Sequence, residues 1–182
     1  MSNSIARPRY ARISRDVASL IQNHAIKKAP VDIVKLAEKC GAVVAYENFG
    51  DEISGLVFRK GEKFVIGVNG EQSESRKRFT VAHELGHILL HDLPDVHIDR
   101  NFTVMFRSSE SSLAKNVLEI EANAFAAELL MPEAFLLKDL RNVSLDIEDG
   151  RQVDELANKY NVSSQAMTYR LQNLSLRNRL VA

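Results

Sequence analysis

The chain has 182 residues, of which 45% are hydrophobic and 26% charged, and it carries no formal net charge. These values fit one soluble globular domain that can bury a real core, and they exclude a low-complexity chain. Both ends are weakly basic, since residues 1–28 carry six Lys or Arg and one Asp, and residues 151–182 carry five Lys or Arg and two acids. Charge alone therefore gives no argument for binding to nucleic acid.

The first residues and the cysteine content indicate the compartment. Cys40 is the only cysteine, so the chain has no intrachain disulfide, and residues 1–16 lack the apolar core of a secretory signal. No apolar run approaches the roughly 20 residues of a membrane-spanning helix. We therefore expect a cytoplasmic protein with no membrane segment.

Predicted secondary structure begins after a polar N-terminal stretch. Residues 29–41, APVDIVKLAEKCG, fit a short helix with Pro30 near its first turn. Three runs rich in β-branched and aromatic residues follow, separated by tight turns, and predict a three-stranded sheet. They are AVVAYENF at 42–49, ISGLVFR at 53–59 and KFVIGVN at 63–69.

A long helix is predicted over 73–91, with Ser73 as its N-cap. Residues 92–115 show no steady period and are predicted to be mostly loop. Helical spacing returns at 116–130, and Pro132 limits the extension of that helix. The remaining predicted elements are a short helix at 133–140 and two helices within 151–174.

The long helix contains the pattern His-Glu-x-x-His within FTVAHELGHILLHD, residues 79–92. Residues four apart share one helix face, so His83 and His87 can direct an imidazole nitrogen at one point, as a zinc ion requires. Glu84 is rotated about 100° around the helix and can reach a water molecule at that point as general base. The pattern alone is short enough to arise by chance in an unrelated helix.

A third ligand is expected from the next long helix, which carries EIEANAF at 119–125. Glu119 is favoured because small side chains share its face and would let the two helices lie close together. Glu121 remains the alternative. Asn123, one turn beyond Glu119, is a candidate hydrogen-bonding neighbour of the ligands.

Two further histidines lie near the motif in sequence. His91 is about 12 Å along the helix axis from His83, too far to share an ion with it, and is predicted to support the ligands rather than to be one. His97 falls in the predicted loop and is expected to have an ordinary surface role.

Together, RFTVAHELGHILLHD and EIEANAFAAELLMP resemble the ImmA/IrrE-type metallopeptidases, zinc endopeptidases of the zincin class. The resemblance implies an α+β, zincin-like fold in which a small three-stranded sheet packs on the His-Glu-x-x-His helix and on the glutamate-bearing helix. It implies zinc bound by His83, His87 and Glu119, with Glu84 as catalytic base. It also implies a protein substrate, a helix-turn-helix repressor encoded nearby, whose cleavage relieves repression of stress-response or mobile-element genes.

The C-terminal part is predicted to be helical. We expect residues 1–142 to form the metallopeptidase domain and residues 143–182 a helix-turn-helix-like segment packed on it. Ser163 would cap a second helix that could present Arg170 outward to DNA. We favour a helical hairpin that covers the core or a partner, because Arg170 is the only basic group in that helix. Direct binding of nucleic acid is the weaker alternative.

An endopeptidase must hold its substrate extended, and an exposed strand edge is the simplest device for this. The candidate is the third predicted strand, through Val65, Ile66, Gly67 and Val68, although the same run also fits a buried strand.

Two rival functions are a DNA-binding regulator with a vestigial metal site and a module that sequesters a repressor without cutting it. Retention of all four site residues argues against a vestigial site.

Overall fold

The fold is α+β, as predicted. In the computed structural model, the described part of the chain contains seven helices and one sheet of four strands. The described residues are 7–50, 53–93, 96–100, 113–141 and 150–176, with only the backbone described at 99–100 and 113–116. In chain order the elements are α1 Tyr10–Asn23, α2 Ile33–Lys39, β1 Ala42–Glu47, β2 Ile53–Lys60, β3 Lys63–Asn69, α3 Glu74–Leu90, β4 Val96–Arg100, α4 Leu113–Leu130, α5 Glu133–Asp139, α6 Gly150–Tyr160 and α7 Ser164–Leu176.

The sheet has the strand order β1-β3-β2-β4, with β1 parallel to β3 and the other two pairs antiparallel. The prediction of three strands is therefore wrong, because β4 lies inside the segment predicted as loop. This strand is stabilised by pairing with β2. Because it has only five residues, the alternation of apolar and polar side chains along it is too short to give a clear periodic signal. Residues 101–112 of the predicted loop lie outside the described residues.

Strand β3 is an interior strand. Ile66 pairs with Val44 of β1 on one side and with Val57 of β2 on the other. The prediction that Val65, Ile66, Gly67 and Val68 offer an exposed edge is therefore wrong, and the buried-strand alternative is correct. A near-continuous apolar run is typical of a strand that is covered on both faces, and Ile66 and Val68 are fully buried.

The N-terminal region differs from the prediction in two respects. The stretch taken as a polar start forms helix α1, which buries Ile13 and Val17, four residues apart, and packs mainly against α4. Helix α2 begins at Ile33 because the Asp32 side chain accepts a hydrogen bond from the backbone N–H of Lys35, an N-cap contact of 3.1 Å. Pro30 therefore lies outside the first turn.

Helices α3 and α4 share the most extensive contact among the described helices and carry the candidate site. Helix α3 begins after Ser73, whose hydroxyl accepts from the N–H of Arg76 as predicted. At Gly86 an added Cβ would lie 3.0 to 3.2 Å from atoms of Phe125 on α4, so only a glycine fits there without displacement. This close approach brings the polar residues of the two helices to one place.

The C-terminal helices pack on the rest of the chain. Tyr160 on α6 donates a hydrogen bond of 2.8 Å to Asp139, and Ser163 caps α7 by accepting from the N–H of Ala166. Arg170 is only 7% exposed, so it does not face outward as the weaker, DNA-binding alternative required. The predicted domain boundary, between residues 142 and 143, lies outside the described residues and remains a prediction.

No helix in the described ranges combines the length and apolar character that crossing a membrane requires.

Candidate metal centre

Three donor atoms converge where α3 meets α4. His83 Nε2 and His87 Nε2 are 2.9 Å apart, and Glu119 Oε2 lies 3.3 Å from the first and 3.5 Å from the second. Both histidine side chains are fully buried, whereas 15% of the Glu119 side chain is exposed. In the described part of the chain, these three residues are the group that could hold a metal ion.

The spacing of these atoms fits a zinc site. Ligand bonds of about 2.0 to 2.1 Å at tetrahedral angles place neighbouring donor atoms roughly 3.3 Å apart. The three observed separations, 2.9, 3.3 and 3.5 Å, bracket that value. Two imidazoles and one carboxylate also form a donor set known from catalytic zinc sites, in which a fourth position is left for water or substrate.

The protonation states of the His83 imidazole and the Glu119 carboxylate favour the binding of a cation. Burial lowers the pKa of His83 to about 4, so its imidazole is neutral near pH 7. Its Nδ1 is 3.1 Å from Asn123 Oδ1, an acceptor, so Nδ1 carries the proton and Nε2 keeps its lone pair. Burial raises the pKa of Glu119, but the two neighbouring imidazoles lower it by more, and the net shift is downward.

Glu84 lies on the side of α3 that faces the sheet. The residue is fully buried, and an added Cβ at Gly55 of β2 would lie 2.8 Å from Glu84 Oε1 and 2.4 Å from Thr80 Cγ2. Strand β2 can therefore pass close to this carboxylate only because residue 55 has no side chain. Sequence analysis did not single out Gly55, although a lone glycine inside a strand is a signal of close approach.

Glu119 and Glu121, the two candidates for the third ligand, differ in what they contact. Glu121 points away from the donor group and accepts hydrogen bonds from Arg9 Nη2 at 2.5 Å and Arg9 Nε at 2.9 Å. Hydrogen bonding from Arg9 lowers the pKa of Glu121 to about 2. The structure thus brings Glu119, and not Glu121, to the two histidines.

His91 and His97 both lie beside the donors. His91 Nδ1 is 3.0 Å from His87 Nδ1, where a supporting residue was expected. His97 on β4 is not the surface residue that was expected, since its ring centroid is 4.5 Å from that of His87 and its Nε2 is 3.8 Å from Glu119 Oε1. No sequence signal pointed to His97, because the strand that carries it was not predicted.

The sequence of this chain matches the IrrE N-terminal-like domain over residues 37–172. The chain belongs to this family. The match covers α3 and α4 with all four candidate site residues, and it confirms the resemblance to the ImmA/IrrE metallopeptidases that the two motifs indicated.

Two relatives show how much of the chain the sequence similarity covers. The chain is 35% identical over 114 residues to the radiation response metalloprotease IrrE of Deinococcus radiodurans, a match covering 60% of this chain and 31% of that protein. It is 29% identical over 120 residues to the metallopeptidase ImmA of Bacillus subtilis, covering 65% and 62%. The chain thus spans less than two thirds of the length of either relative.

A Mycobacterium tuberculosis transcriptional regulator has a similar fold, with a TM-score of 0.61 at 13% identity over 88% of this chain and 46% of that one. At this identity the likeness concerns the fold alone.

Proposed function

We propose that this protein is a cytoplasmic zinc endopeptidase that cuts a helix-turn-helix repressor and so relieves repression. The observation that supports the proposal best is the convergence of His83 Nε2, His87 Nε2 and Glu119 Oε2 within 3.5 Å of one another. Two relatives carry the names metalloprotease and metallopeptidase, which supports the reaction class. The repressor as substrate follows from the family resemblance.

The chemistry divides between the metal and the chain. A zinc ion bound at this site would supply Lewis acidity toward a water molecule and a peptide carbonyl. His83, His87 and Glu119 would hold it. Glu84 is the general base: it takes a proton from the attacking water as the C–O bond forms and delivers it to the amine nitrogen as the C–N bond breaks. The burial of Glu84 keeps bulk water from competing for that proton.

Strand β4 is the place where an extended substrate would bind. In the described ranges no strand pairs with its outer side, so its edge can accept a peptide as a further strand. Val96 and Ile98 are 56% and 45% exposed, while 17% of the His97 side chain between them is exposed and the ring lies beside the ligands. This edge replaces the incorrect assignment to β3.

The decisive experiment uses Glu84→Gln, which keeps the shape of the side chain and removes the base. The substrate assayed is the proposed one, a helix-turn-helix repressor encoded nearby, and zinc content is measured in parallel. We expect about one zinc per chain in the wild type and in the variant, with cleavage by the variant reduced at least about 100-fold. Glu74→Gln, which changes a 75% exposed carboxylate on the same helix, is the matched control and should cut normally.

Normal cleavage by Glu84→Gln would refute the mechanism. Loss of zinc in Glu119→Ala would support that residue as the third ligand, whereas full retention would exclude it. A wild-type protein that holds zinc and binds the repressor without cutting it would instead be the sequestering module. No observation in the described residues favours a DNA-binding regulator, since Arg170 makes internal contacts.

A further inference from the structure

A series of hydrogen bonds connects the N-terminal segment to Nδ1 of His87, the ring nitrogen that does not face the other donor atoms. Arg9, just before α1, donates to both oxygens of Glu121 on α4 through its backbone N–H, Nε and Nη2, at 2.5 to 3.2 Å. Glu121 Oε2 is 3.1 Å from His91 Nε2. His91 Nδ1 is 3.0 Å from His87 Nδ1.

We propose that Arg9, Glu121 and His91 are positioning residues that fix the tautomer of His87, so that its Nε2 always presents a lone pair to the metal. The inference rests on the proposed zinc site. It assigns a role to the glutamate that sequence analysis had considered as a ligand, and to an arginine outside both motifs.

The direction of each hydrogen bond in this series follows from the carboxylate of Glu121. An ionised carboxylate only accepts, so Glu121 requires the proton of His91 to be on Nε2. A neutral His91 then has its lone pair on Nδ1, and the facing Nδ1 of His87 must carry a proton. His87 Nε2 is left with the lone pair, on the side where His83 and Glu119 converge. Ligand histidines are commonly oriented by a carboxylate in this way.

The Arg9–Glu121 pair could instead serve only to attach α1 to α4. The same helix supplies a comparison, because Glu128 forms a buried pair of 2.7 Å with Arg170 of α7. That pair also joins two helices, but no histidine is among its hydrogen-bond partners in the described residues. A purely structural role therefore predicts similar effects when either pair is broken, whereas a positioning role predicts an effect on the metal only at Glu121.

The first test reads the tautomers directly. Zinc-loaded protein labelled with ¹⁵N-histidine is examined by long-range ¹H–¹⁵N correlation, which distinguishes a protonated Nδ1 from a protonated Nε2. We expect His91 as the Nε2–H tautomer and His87 with its proton on Nδ1 and its metal on Nε2. An Nδ1–H tautomer at His91 would overturn the proposal, since two N–H groups would then face each other.

The second test compares Glu121→Gln with Glu128→Gln by thermal melting and by zinc competition against a chromophoric chelator. Both variants should lose thermal stability. Only Glu121→Gln should also raise the zinc Kd, by about 10- to 100-fold, because an amide can donate as well as accept and no longer fixes the tautomer. Zinc Kd values within twofold of each other in the two variants would overturn the proposal.

A second pair of variants covers the case in which Glu121→Gln does not fold. The Arg9 side chain is 41% exposed, so Arg9→Gln should fold. Arg12→Gln on α1 is its control, because among the described residues the ion pair of Arg12 is with exposed Asp16. We expect weaker zinc binding in Arg9→Gln alone, and equal Kd values would overturn the proposal. A wild type that binds no zinc would refute the proposed function itself, which separates the two failures.

Discussion

A methyl group added at Gly55 tests whether the position of Glu84 governs catalysis. The new Cβ would lie 2.4 Å from Thr80 Cγ2 and 2.8 Å from Glu84 Oε1. Since non-bonded carbon atoms need about 3.5 Å, Thr80 must move by about 1 Å and the Glu84 carboxylate by about half an ångström, or β2 must withdraw from α3. The nearest atoms belong to these two residues and not to a proposed ligand, so zinc should be retained.

These displacements set the expected size of the effect. Overpacking in a close-packed site costs about 1 to 3 kcal/mol, which for a chain of this length lowers Tm by about 2 to 12 °C. A misplacement of 1 Å at a catalytic group costs about 100-fold in rate, so half of that distance predicts a drop in kcat of about 10-fold. The variant should therefore bind zinc and cleave about 10-fold more slowly.

The assay measures cleavage of the proposed repressor substrate, zinc content and Tm, at a temperature well below the Tm of every variant. Gly67→Ala is the control, because its Cβ would also be tight, 3.0 Å from Phe49 Cζ and 3.1 Å from Leu56 Cδ1, and none of its three nearest atoms belongs to Glu84 or Thr80. We expect normal kcat in this variant. Wild-type kcat in Gly55→Ala, or an equal loss in Gly67→Ala, would refute the reasoning.

Three further predictions concern the surroundings of the site. Asn123→Ala removes the acceptor for His83 Nδ1–H, and should raise the zinc Kd by about 10- to 100-fold in the chelator assay; an unchanged Kd would show that Asn123 does not orient this ligand. Gly86→Ala gains about 1 kcal/mol of helix propensity but forces buried Phe125 aside, so the free energy of unfolding should fall and Tm with it; a higher Tm would mean that the helices can separate without cost. The intact protein should show no salt-sensitive, sequence-specific shift of its own upstream DNA, because Arg170 is committed to an internal ion pair, and a specific shift at moderate salt would contradict this.

The local part of the site was readable from the sequence. His83, Glu84 and His87 lie within one helix, whose periodicity and N-cap at Ser73 are local properties, so their relative positions follow from helix geometry alone. The small side chains around Glu119 indicated which acid would face the first helix, and the structure brings that residue to the histidines.

The rest of the site depends on contacts between segments that are distant in sequence. Helical spacing cannot distinguish Glu119 from Glu121 conclusively, and it is Arg9, 112 residues earlier, that engages Glu121 and removes it from the donor group. The strand β4 exists because it pairs with β2, so neither its edge nor the place of His97 could be read from five weakly patterned residues. Local periodicity in the sequence therefore determined which residues share a helix face. Tertiary packing decided which residues on other helices and strands they contact, because hydrogen bonds and strand pairs between distant segments leave no periodic pattern in the sequence.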